Sequence, residues 1–85
     1  MRGREIRRAL HDGQNVYSTA IIAGSTYWPQ LASGLDIDFV FIDSEHVPQD
    51  RINLSWMCHT YAALGIPPVV RIPSPDPYAA CMVLD

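Results

Sequence analysis

The chain has 85 residues, room for one small domain, and its 48% hydrophobic and 18% charged content is that of a folded protein rather than a disordered one. A formal charge of −3, with six arginines and no lysine, gives no electrostatic footprint for nucleic acid or an anionic membrane. Without lysine these residues also cannot form a Schiff base, so carbonyl chemistry here needs another electrophile.

Ile6, Ala9 and Leu10 at helical spacing predict a short helix over residues 2 to 10, stopped at Asp12-Gly13. Arg2, Arg4, Arg7 and Arg8, together with Glu5, read as its solvated face. This basic start leads into His11-Asp12-Gly13-Gln14-Asn15 and not into an apolar leader, which points to a cytoplasmic protein. No apolar run approaches the roughly 20 residues of a membrane span. Val16 to Ile22, β-branched and apolar between polar flanks, predicts a first strand. A short helix is expected next. Pro29 suits its first turn, Leu31 and Ala32 its buried side, and Gly34 a left-handed terminus.

The central run Asp38-Phe39-Val40-Phe41-Ile42-Asp43 has no helical periodicity and predicts a strand covered on both faces, as in a parallel sheet under helices. It ends on Asp43-Ser44-Glu45-His46. Asp50 is the expected N-cap of a longer helix, whose Leu54, Met57, Cys58, Tyr61 and Leu64 form one apolar stripe before Gly65 at C′. His59 lies beside that stripe and reads as a surface residue. Pro67 to Pro73 is a third apolar run, and it carries Arg71, 25 residues after His46. Asp76 then caps a last helix with Pro77 at its first position, and Tyr78, Cys81 and Met82 begin its expected apolar stripe. Cys58 and Cys81 belong to no zinc-type spacing and read as reduced core thiols.

Strand and helix alternate throughout, which predicts an α/β fold with parallel strands, whose C-terminal ends share one face. His46 and Arg71 would then look into one cleft. Asp43 is three residues before His46, near enough to accept its imidazole N–H, fix the tautomer and raise its basicity. The pattern D-x-x-H is weak alone, and an ordinary strand-end aspartate beside a loop histidine fits it as well. An arginine in an apolar strand needs an acid or an anionic ligand. Arg71 therefore either neutralises Glu45 or Asp43, or clamps an oxyanion.

Asp38 to His46, followed by Ala63-Leu64-Gly65-Ile66 and Pro68-Val69-Val70-Arg71-Ile72-Pro73, resemble the HpcH/HpaI aldolase family of phosphoenolpyruvate/pyruvate-binding barrels. The resemblance runs from about Gly24 to Asp85. It implies that residues 1–85 are the N-terminal part, about three βα units, of a (β/α)₈ TIM barrel truncated on its C-terminal side, a complete barrel needing about 250 residues. The activity it implies is that of a metal-dependent class II aldolase, acting on 4-hydroxy-2-oxo acids to give a pyruvate-type oxo acid and an aldehyde. By this likeness His46 is the catalytic acid/base, Asp43 orients it, Arg71 binds the keto oxygen, and Glu45 stands near the metal. The divalent ion, Mg²⁺, Mn²⁺ or Co²⁺, would find its carboxylates beyond residue 85, so no metal ligand is assigned here. A small-molecule oxo acid is the expected partner, with homo-oligomers when full length and neither nucleic acid nor membrane involved. A citrate-lyase-like acyl cleavage and a non-catalytic truncated fragment are the competing expectations. The region Val16 to Ile22 departs from the family's early glycine and tryptophan pattern, which leaves the register of the first strand open.

Overall fold

The computed structural model describes residues 2–85, which form α1 (Gly3–His11), β1 (Ser18–Ile21), α2 (Trp28–Ser33), β2 (Phe39–Asp43), α3 (Arg51–Ala63), β3 (Pro68–Arg71) and α4 (Pro77–Leu84). All seven predicted elements occur in the predicted order. The sheet is parallel throughout, in the order β1-β2-β3, so β2 is central and the other two are edges.

The predicted caps are present where local chemistry supplies them. Asp50 accepts from the N–H of Asn53 at 2.7 Å, and Asp76 accepts from that of Tyr78 at 3.0 Å. Glu5 accepts from the backbone of Arg2 at 3.2 Å at the start of α1. Gly65, with φ +78°, takes the left-handed conformation expected after α3. Gly34 does not, because α2 ends on a right-handed turn with φ −87° that any residue could adopt. β1 is shorter than predicted; its start is fixed by a clasp in which Asp38 bonds Tyr17 through both its backbone N–H (2.8 Å) and its carboxylate (2.9 Å).

Strand alternation divides the sheet into two unlike faces. Ile21, Val40 and Ile42 point into a core completed by Ala32, Met57, Tyr61 and Ile66, with Leu54, Trp56 and Val70 packed at its edge. Register places Ser18 beside Phe39, and Ala20 beside Phe41 and Val69, on the opposite face. There Phe39 and Phe41 are half-buried and Val69 is 47% exposed. The central strand is thus covered by helices on one side, and its second cover is not among the described residues.

Three expected apolar stripes are narrower than the sequence implies. Leu10, Leu31 and Leu64 are exposed, although Ala9, Ala32 and Tyr61 on the same helices are buried. In α4 the expectation fails altogether: Tyr78, Cys81 and Met82 face solvent, and Ala79, Ala80 and Val83 are the half-buried positions. α4 packs against α3, and small side chains permit that approach. Cys81 is accordingly exposed rather than a core thiol, whereas Cys58 is half-buried and burial pushes its thiol up, away from the reactive thiolate. No helix of the described residues is long and apolar enough to cross a membrane.

Candidate active site

The ends of β2 and β3 meet because register pairs Asp43 with Arg71. Both residues terminate their strands on the sheet face that the helices leave open. Beyond Asp43 the chain turns tightly, and that aspartate organises the turn. Its Oδ1 accepts the backbone N–H groups of Glu45 at 2.8 Å and His46 at 3.0 Å, while Oδ2 lies 2.9 Å from Nδ1 of His46. These donors, the His46 backbone first, hold the Asp43 carboxyl well below the usual range, at about 2. Asp43 is therefore an acceptor only at any ordinary pH, Nδ1 of His46 must carry the proton between them, and Nε2 is left as the basic nitrogen. The predicted dyad is present as a geometric pair, and the His46 side chain is 63% exposed, open to a substrate.

Arg71 finds its acid in Glu45, with Nε lying 2.5 Å from Oε2. Of the alternatives the sequence leaves open, the ion pair is thus made, and with Glu45 rather than Asp43. Both side chains are partly exposed, so solvent screens the pair and its worth is at most about 1 kcal/mol. The four predicted residues, Asp43, Glu45, His46 and Arg71, lie together at one end of the sheet. His59 does not join them: it is exposed on α3 and bonds the carbonyl of Ser55 at 2.7 Å.

Sequence reasoning missed Ser44. Its backbone N–H donates to the carbonyl of Arg71 at 3.1 Å, and its hydroxyl donates to the same oxygen. As the variable position of D-x-E-H it gives no signal of its own. The other polar feature near the site is a loop contact: Gly24, just after β1, lies so close to Gln49 and Asn53 that an added Cβ would come within 3.3 Å of the Asn53 amide.

A cavity of about 540 Å³ lies between α3, α4 and the end of β3, lined by Leu54, Cys58, Ile72 and Met82 among others. It opens on the helix side of the sheet and is lined by none of Asp43, Glu45, His46 or Arg71. The chemistry and the cavity are separate features. Among the described residues no group of three or more His, Cys, Asp or Glu side chains converges as a metal centre.

No family model matches the chain, and none of the curated proteins matches it. Solved structures do. A citrate synthase, SbnG, superposes with a TM-score of 0.82 at 26% identity over 94% of this chain and 33% of its own. A HpcH/HpaI aldolase/citrate lyase family protein from Burkholderia cenocepacia gives 0.79 at 26% identity, over 94% of this chain and 32% of that one. A HpcH/HpaI aldolase from Desulfitobacterium hafniense, at 20% identity, shares the fold with a TM-score of 0.81 over 94% and 31%. The chain spans about a third of the length of these structures, and its three βα units superpose on part of a TIM barrel of that aldolase/lyase kind.

Proposed function

We propose, for a chain whose structural kin are HpcH/HpaI aldolase/citrate lyase proteins, that it contributes the acid/base end of an aldolase acting on 4-hydroxy-2-oxo acids. The observation that carries this reading is the Asp43–His46 pair at 2.9 Å, set by strand register beside Arg71. In the cleavage direction Nε2 of His46 takes the proton of the 4-hydroxyl. The C3–C4 bond breaks, the aldehyde leaves, and the electron pair passes to the oxo acid as an enolate. Asp43 keeps the imidazole in the tautomer that can accept, and its carboxylate stabilises the imidazolium once formed. The guanidinium of Arg71 faces the negative charge that develops on the enolate oxygen. Protonation of C3 then gives a pyruvate-type oxo acid.

A divalent ion belongs to this reading through the family resemblance alone. Its ligands would come from outside the described residues, and no step is assigned to it.

The test is His46→Ala in the complete protein that carries this sequence, assayed for release of oxo acid from a panel of 4-hydroxy-2-oxo acids. We expect kcat to fall by about 10² to 10⁴, the usual worth of general acid/base catalysis, with KM little changed. An unaltered kcat would remove His46 from the chemistry. Turnover confined to acyl thioesters would move the protein to the citrate-lyase side of the family.

A further inference from the structure

The proposed reaction needs Arg71 and His46 at a fixed separation, yet the side-chain contact between their segments is the solvent-screened Glu45–Arg71 pair. A stronger tie lies in the main chain. The carbonyl of Arg71 receives two donors from one residue, the N–H and the hydroxyl of Ser44. A carbonyl oxygen has two lone pairs, so this one is filled. The backbone bond only continues the parallel ladder one step beyond the Asp43–Arg71 pairing. The hydroxyl adds a second constraint, applied where β3 ends and its ladder can no longer hold it.

We infer that Ser44 is the positioning residue for Arg71, fixing the strand end that carries the guanidinium against the turn that carries His46. This rests on the function proposed above. Consecutive residues grip Arg71 at two points, Ser44 at its carbonyl and Glu45 at its Nε. The turn that does the gripping is itself held, because one oxygen of Asp43 takes the N–H groups of both Glu45 and His46. Motion of the Arg71 backbone relative to His46 thus requires the Ser44 contacts to open. Ser44 points to the helix side of the sheet, where it meets the large cavity, and it does not face the reacting groups. It acts through Arg71.

Removing one neutral hydrogen bond of this kind should lower kcat roughly 3- to 10-fold in Ser44→Ala while leaving the dyad in place. Ser44→Thr, which keeps the hydroxyl, should restore the rate; Ser44→Cys, a weaker donor of similar size, should fall between and serves as the second variant if the alanine form folds poorly. The deciding readout is independent of turnover: the ¹⁵N–¹H resonance of Arg71 Nε in the complete protein, expected to shift and broaden in Ser44→Ala and to return in Ser44→Thr. A purely structural serine would lower thermal stability and leave that resonance and kcat of the folded enzyme unchanged. That result in both the alanine and cysteine variants would overturn the assignment. If the wild-type protein cleaves no oxo acid, the functional reading fails by itself, and the Arg71 resonance still decides what Ser44 does.

Discussion

Among the described residues Asp43 makes three side-chain hydrogen bonds, and its ionisation makes the local order of the site dependent on pH. Its carboxyl is lowered from an ordinary 3.8 to about 2, chiefly by the His46 backbone donor, so the folded state binds this proton less readily than the unfolded chain. The stabilisation is fully present above about pH 4 and is lost as pH falls through 2. Wild-type protein should therefore lose thermal stability between about pH 4 and pH 2 faster than Asp43→Asn, whose side chain does not titrate. Melting curves of the two that fall in parallel over that range would show that the turn is held by something else. Much of this site was legible in the sequence, because a strand that stops on D-x-x-H puts the two side chains within reach of each other. The partner of Arg71 was not, since Asp43 and Glu45 stand within two residues of each other and only the direction of the turn selects Glu45. Ser44 was invisible for a different reason: its role depends on strand pairing 27 residues away, which local spacing does not encode.

Among the elements, α3 shows why apolar periodicity was a good guide and where it stopped. Met57 and Tyr61 are fully buried in one core cluster with Val40 and Ile42, as the stripe predicts. α4 has an equally plausible stripe and presents it to solvent. Periodicity reports which side of a helix is apolar, not what stands opposite: α4 packs against α3, and Ala79, Ala80 and Val83 are its half-buried positions. The strands show the same limit. Four consecutive apolar residues, Phe39 to Ile42, mark β2 as a two-sided core strand, yet only alternate members are covered. Burial in α3 carries one cost that the pattern hides. The hydroxyl of Tyr61 is inaccessible and has no hydrogen-bond partner among the described residues, a loss worth about 1 to 3 kcal/mol for a desolvated donor. Tyr61→Phe removes the hydroxyl and keeps the ring, so it should raise unfolding stability by about 1 kcal/mol, read from the denaturant midpoint at constant m-value. A decrease would mean that the hydroxyl is paired in solution, for instance through a water.

For the molecule as a whole, the surface is too large for the mass. A folded monomer of 9.5 kDa exposes about 5,000 Å², whereas this chain exposes 6125 Å², roughly a fifth more. Its radius of gyration, 12.8 Å, likewise exceeds the about 12 Å expected for 85 residues, and its extents of 33 × 30 × 21 Å describe a slab. Part of the excess lies on the sheet face of Phe39, Phe41 and Val69, which has no covering layer among the described residues, and β1 and β3 each keep one unpaired edge. In a closed barrel that face would be the packed interior and neither edge would exist. These 85 residues studied alone should therefore self-associate through the open edges and unfold broadly, and they should release no oxo acid from aldol substrates with Mg²⁺, Mn²⁺ or Co²⁺. Gel filtration, a thermal melt and that assay on the purified polypeptide test the expectation together. A sharp two-state transition in a monomer would show that the helix-covered face alone, seven buried apolar residues, suffices to hold the sheet, and that closure of the barrel serves the chemistry rather than the fold.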